Sequence, residues 1–219
     1  KLCVMINASE IIEEGILSER NLDLLFPTDS ATSNIAIIRI ATHTYDCEEA
    51  FKATKLLKEK GFKISYNLMQ VSECKPNELI RLVKKATEYP IDVFYFADSL
   101  GNMDTENVLT VIELFRTHWK GHLGIHAHDN KGHALINSLS AIDCGVSYID
   151  ATILGMGRGA GNTKIENLLV EVLNRDQGEY YPDALFPIVL QDFEKLKKKY
   201  DWGSSIYYYL SAVHGIHPT

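Results

Sequence analysis

The chain has little cysteine: Cys3, Cys47, Cys74 and Cys144 are the only four in 219 residues, and no two form a Cys-x-x-Cys pair. Thiols this sparse do not describe a disulfide framework and fit reduced, packed side chains in a cytoplasmic protein. Long apolar runs are missing too. None approaches the roughly 18 residues that span a bilayer, and nothing resembles a signal peptide. Positive charge is in deficit, with 22 Lys and Arg against 29 Asp and Glu, a formal charge of −7 and a pI near 5.6. That balance argues against nucleic acid or an anionic membrane as a partner. A first methionine is also lacking. The sequence enters the strand-like run "LCVMI" directly after Lys1 and stops at "GIHPT", which reads as a piece excised from a longer protein.

What is present is an ordinary globular composition, 46% hydrophobic and 23% charged, with enough apolar material for one large α/β domain. Strand-like runs occur at 2–7, 35–41, 62–69, 91–98, 122–128 and 147–154. They are continuously apolar rather than alternating, as expected where both faces of a sheet are covered. Between them, residues 47–61, 75–89, 104–119 and 131–145 carry helical spacing. Gly61 and Gly145 are placed to end helices, Pro76 to start one, and Asp104 to cap one with Asn107 three residues on. From about residue 163 the chain becomes helical, over 163–175, 184–200 and 204–215, with no further strand.

Alternating strands and helices with short connections predict βαβ units and a parallel sheet, in an open doubly wound fold or a (β/α)8 barrel. Polar residues sit at the C-terminal end of every strand: Asn7, Thr42 and His43, Asn67 and Gln70, Asp98 and Ser99, His126 and His128, Asp150 and Thr152. A site ringed by all the strands suits a TIM barrel better than the single switch point of an open sheet. Only six strands are visible where a barrel needs eight. We therefore expect residues 1–175 to form a partial barrel holding strands three to eight and the site. Residues 176–219 would be a helical extension, and a barrel face covered by these helices suggests a homodimer.

The densest chemistry lies in "GIHAHDNKGHA", residues 124–134. On a strand, residues i and i+2 share a face, so His126 and His128 project into one space, as two ligands to a divalent ion would. Two core histidines satisfied by hydrogen bonds would give the same spacing, but the strand-end position before Asp129 and Asn130 favours metal. His122, at the other end of the strand, and His133, in the next helix, are expected to stand outside the ligand set. The loop "GMGRGAGN" (155–162) matches the spacing of a dinucleotide fingerprint, yet no strand ending in an acid follows it. It reads better as a tight loop, with Gly157 and Asn162 at the rim of the same pocket. Arg158 would meet a carboxylate or phosphate, or else simply face solvent. Asp98 is a candidate for the chemistry. Asp150 suits pairing with a cation or orienting a ligand histidine. Thr42 and His43 would contact substrate or satisfy backbone groups.

Taken in order, "RIATH", "FADSLG", "IHAHDNKGHALINS" and "DATILGMGRGAGN" resemble the metal-dependent aldolase and lyase barrels of the HMG-CoA lyase type, and within them the 4-hydroxy-2-oxovalerate aldolase branch. The resemblance covers about residues 35–170 and extends loosely into the tail. It implies that His126 and His128 bind Mn2+, Mg2+ or Zn2+ with Asn162 as a further ligand, and that a small 2-oxo acid and an aldehyde are the reaction partners. It implies a metal that stabilises a pyruvate-type enolate as a carbon–carbon bond breaks. In the aldolases a C-terminal tyrosine approaches the site, which makes Tyr207 in "SIYYYL" the candidate proton donor beside Tyr208 and Tyr209. The family's Arg-Asp-Gly motif is absent from this sequence and is expected upstream, on the two strands not represented. No cysteine occurs in the glycine loop, against the acyl-CoA lyases. Other readings are a Claisen-type condensation of an acyl-CoA with a 2-oxo acid, a metal-dependent hydrolase, and a catalytically incomplete metal-binding domain.

Overall fold

Runs of Ile, Val, Phe and Tyr too apolar for solvent pair into one sheet because each strand's polar backbone must be satisfied as its side chains are buried. In the computed structural model, which describes residues 2–175 and 181–216, six strands form this parallel sheet: β1 (Leu2–Asn7), β4 (Ile35–Thr42), β5 (Lys63–Leu68), β6 (Val93–Asp98), β7 (His122–Ala127) and β8 (Tyr148–Ile149), neighbours in that order. Helices α2 (Cys47–Glu59), α3 (Pro76–Ala86), α4 (Thr105–Arg116) and α5 (Ala134–Asp143) alternate with them. The expected α/β architecture of parallel strands, flanking helices and a helical C-terminal segment is present. The boundary expected at residue 176 lies outside the described residues. No helix among them is long and apolar enough to cross a membrane.

Two compact units divide the chain: Lys1–Ala97 with Val111–Gly124, and Asp98–Thr110 with Ile125–Thr219. In the first unit, register sets the two faces of the sheet. Arg39 pairs with Ser65 and Ala41 with Asn67, while Ser65 pairs with Val93 and Asn67 with Tyr95. Alternation puts Arg39, Ser65, Asn67 and Tyr95 on one face and Ile40, Tyr66, Phe94 and Phe96 on the other. The second face packs on helices. The Tyr66 ring stacks 4.5 Å from Phe51 of α2, and the Phe94 ring lies 4.8 Å from Phe115 of α4.

On the polar face the Arg39 guanidinium carbon lies 3.9 Å over the Tyr95 ring. Tyr95 has room because the next strand carries Gly124, where a Cβ would sit 2.5 Å from its ring atoms. Gly124→Ala is therefore expected to destabilise the protein by about 1–3 kcal/mol through overpacking. Urea denaturation of this variant checks it, and an unchanged midpoint would contradict the packing.

Helix ends follow the local signals. Gly61 (φ +80°) and Gly145 (φ +76°) adopt the left-handed conformation just past α2 and α5. Asp104 and Asn107 cap α4 reciprocally, each side chain accepting the other's backbone N–H, at 2.9 and 3.2 Å.

Three stretches differ from expectation. Between β1 and β4 the chain makes a hairpin, β2 (Ile12–Glu13) and β3 (Ile16–Leu17), then a short helix α1 (Glu19–Leu25) capped by Ser18. Two-residue strands are too short to show a period. The run 147–154 is strand only at Tyr148–Ile149, because Leu154 (φ 52°) turns the chain into a 3-10 turn at Ile153–Gly155. In the second unit α6 (Ile165–Asn174) follows as expected, but 184–200 is segmented. A 3-10 turn at Pro182–Ala184, α7 (Phe186–Ile188) and a π turn at Val189–Phe193 precede α8 (Glu194–Tyr200). Pro187 donates no N–H, which accords with the irregular turn there. Helix α9 (Ile206–Val213) is the last element among the described residues.

Candidate functional site

Within the second unit the end of β7 gathers the chemistry. His126 and His128 flank buried Ala127, and their rings lie 5.0 Å apart at 75°, so both imidazoles occupy one space. His126 Nδ1 is 2.8 Å from Asp150 Oδ2. The sheet places that carboxylate: Asp150 N donates to Ile125 O at 3.1 Å, directly beside the histidine.

Asn162 reaches the same strand end through backbone pairing. It forms an antiparallel bridge with His128, flanked by Asp129 N to Gly161 O (2.9 Å) and Thr163 N to Ala127 O (3.3 Å). Its side-chain Nδ2 donates to Met156 O at 3.3 Å, while Oδ1 is buried with no hydrogen-bond partner among the described residues. Leaving such an acceptor unpaired costs about 1–3 kcal/mol, a cost a cation at that oxygen would relieve.

The glycines make this arrangement possible. A Cβ at Gly157 would lie 2.4 Å from Asn162 Nδ2, so the absence of a side chain there admits the amide. Gly161 (φ +84°) brings its backbone so near Gly155 that a Cβ would be 2.0 Å from the Gly155 carbonyl oxygen.

Two imidazoles and one amide oxygen form a donor set suited to a borderline divalent cation. Among the described residues no group of three His, Cys, Asp or Glu side chains is arranged to hold a metal. Any set built here must use Asn162 or donors from elsewhere.

Other expected residues fall differently. Asp98 is 1% exposed, and its carboxylate oxygens accept N–H groups from Asn102 (3.1 Å) and Met103 (3.2 Å). It organises the loop after β6. Burial pushes its carboxyl up to about 6, against the pull of those backbone N–H groups. A carboxyl that holds its proton more tightly when folded adds stability as pH falls from about 6 through 3.8, and loses that contribution above it. Relative to Asp98→Asn, the parent should gain about 1.4 kcal/mol per pH unit across that window. Denaturant titrations of both proteins between pH 7 and pH 4 test this, and a pH-independent difference would refute it.

Thr42 satisfies a backbone group, one of the two roles expected of it. Its side chain is fully buried beside Cys47 and Tyr66, on the helix-packed face of β4, and its hydroxyl donates to His43 O at 3.0 Å. The same burial pushes the Cys47 thiol up to about 12. His43, just past the strand, stacks on Tyr45 and lines a polar hollow of about 160 Å³ with Thr42, Asn7, Ser9 and Asp46. Arg158 is exposed on the glycine loop. Tyr207, on α9, is 80% exposed. His133 Nδ1 lies 3.3 Å from Met103 O at the start of α5, and His122 is exposed, its carbonyl accepting Trp119 Nε1.

The structure adds residues that periodicity did not single out. Asn130, 2% exposed, donates from Nδ2 to Tyr208 O at 3.4 Å, and Trp202 Nε1 donates to Leu154 O at 3.1 Å. The C-terminal segment thus fastens both the turn after His128 and the residue that leads into the glycine loop. Trp202 was the only signal in the tail, since Tyr208 takes part through its backbone carbonyl. Asp129 Oδ1 accepts Ala134 N at 3.0 Å and caps α5.

A family model described as HMGL-like matches residues 28–195. A 4-hydroxy-2-oxovalerate aldolase of Geobacillus genomosp. 3 is 32% identical over 182 residues, covering 78% of this chain and 54% of the relative. The chain spans about half the length of the curated relatives it matches. The crystal structure of the N-terminal domain of a putative aldolase from Bacteroides vulgatus superposes with a TM-score of 0.88 at 32% identity, over 99% of this chain and 70% of that one. HMG-CoA lyase of Bacillus subtilis shares the fold, with a TM-score of 0.71 at 16% identity over 84% of this chain and 68% of that one.

Proposed function

The chain belongs to the HMGL-like family, and from that premise we propose that the full-length protein is a divalent-metal-dependent aldolase that cleaves or forms a small 4-hydroxy-2-oxo acid. The observation that carries this reading is the strand end of β7. Two imidazoles share one space there, and the Asn162 backbone bridges to His128 at the same strand end, its buried side-chain Oδ1 having no hydrogen-bond partner among the described residues. His126, His128 and Asn162 are the residues that would hold Mn2+, Mg2+ or Zn2+. When bound, such an ion supplies Lewis-acid polarisation of a 2-oxo acid's carbonyl.

The chain's own residues do the positioning. Asp129 caps α5 and Asn130 ties the turn to Tyr208, so the histidine pair sits on a rigid strand end. Gly157 and Gly161 let the loop pack closely enough to bring Asn162 to it. The relatives named 4-hydroxy-2-oxovalerate aldolase support this substrate class over an acyl-CoA substrate, and the cysteine-free loop agrees.

The test is direct. Chelator-treated full-length protein is supplied with 4-hydroxy-2-oxovalerate and each ion in turn, and pyruvate release is followed by a coupled assay. Pyruvate should appear only when a divalent ion is restored. Release that ignores chelation, or no release with any ion, would overturn the reading.

A further inference from the structure

The carboxylate behind His126 is not part of the proposed ligand set, yet the fold holds it in a fixed place. Asp150 N donates to Ile125 O at 3.1 Å, and two residues on, Thr152 N donates to Thr163 O at 2.9 Å. Residues 150–152 are thereby stapled between the strand that carries the histidine pair and the segment that follows Asn162. Asp150 Oδ2 lies 2.8 Å from His126 Nδ1, a charge-assisted distance, and both side chains are mostly shielded from solvent.

A neutral imidazole carries one proton. A carboxylate against Nδ1 places that proton on Nδ1, which leaves the Nε2 lone pair available and the ring unable to turn. A carboxylate used merely as a surface ion pair needs no such stapling.

We propose that Asp150 is a positioning residue: by accepting the Nδ1–H of His126 it fixes the tautomer and ring orientation that present Nε2 to a divalent cation, and so sets the affinity of the site. This rests on the metal site proposed at His126 and His128.

The experiment titrates Co2+ into the chelator-treated full-length protein and reads both the dissociation constant and the visible ligand-field spectrum. Asp150→Ala should weaken binding by about 10–100-fold and shift the spectrum. Asp150→Asn keeps the shape and one acceptor, so it should lose less, and Asp150→Glu should recover part of the affinity. The metal-free melting temperature of the isosteric Asn variant should match the parent, which separates positioning from folding.

If the parent and Asp150→Ala bind Co2+ equally with one spectrum, while His126→Ala does not bind, the positioning role is overturned and the metal site stands. If Asp150→Ala abolishes binding as completely as His126→Ala, Asp150 is itself a ligand and the proposal is likewise overturned. Failure of the parent to bind Co2+ sinks the metal reading, and this inference with it.

Discussion

Replacing both His126 and His128 with alanine in the full-length protein should remove the bound divalent ion and abolish pyruvate release, with little change in fold. The two rings share one space at the end of β7, 5.0 Å apart, and neither belongs to the buried apolar core. Their loss leaves Asn162 as the single remaining donor of the proposed set. One amide oxygen does not hold a borderline cation against water, so affinity should fall by far more than the roughly 10–100-fold that follows loss of an outer partner. Each single variant should fall between the parent and the double. Metal content by elemental analysis, set beside far-ultraviolet circular dichroism, decides the matter. Unchanged metal content in a folded double variant would remove His126 and His128 from the ligand set.

The second large effect is expected at Gly161. Alanine there meets two penalties. The backbone sits at φ +84°, and the new Cβ would lie 2.0 Å from the Gly155 carbonyl oxygen, a backbone atom that cannot step aside. Left-handed geometry alone costs an L-residue about 1–2 kcal/mol. The clash forces the loop to move, which breaks the Gly161 O to Asp129 N and Asn162 N to Gly155 O bonds that set Asn162 beside His128. We expect a total loss above about 3 kcal/mol together with weakened Co2+ binding. Gly132 is the control: its φ is +76°, yet a Cβ there would meet nothing within 4 Å. Gly132→Ala should therefore show the conformational cost alone and leave metal affinity intact. Equal losses in the two variants, read by urea denaturation, would show that the close approach of the loop is not needed.

Much of the fold was legible from pattern. The strands at 35–42 and 122–127 coincide with apolar runs because a largely buried strand has few alternatives to continuous hydrophobicity, whereas the apolar run at 2–7 forms a strand that is mostly exposed. The ends of α2, α4 and α5 were legible because glycine, aspartate and asparagine act through local backbone geometry that needs no tertiary context. The hairpin at 12–17 and the segmented stretch 182–200 were not, since each is shorter than the window in which a period shows itself.

At the site the same division holds. The i, i+2 spacing of His126 and His128 needs only the strand to put both rings on one side. Thr42 and His43 show the limit of that argument. β4 ends at Thr42, and local spacing does not say which of the two side chains is packed against helix α2. Tyr207 meets a related limit, because helical periodicity over 204–215 is compatible with any of three adjacent tyrosines facing inward.

The sequence by itself determined the α/β alternation, the paired histidines and the glycine loop, because all three are written in local spacing and in residue types with narrow conformational or chemical roles. Only the tertiary structure decided which groups, far apart in the chain, meet them. It put Asp150 on the Nδ1 side of His126, Asn162 opposite His128 with its side-chain oxygen unpaired among the described residues, and Asp98 onto the backbone of its own loop. Those partnerships depend on strand register and on how closely two backbones can approach, and neither quantity is carried by any single stretch of sequence.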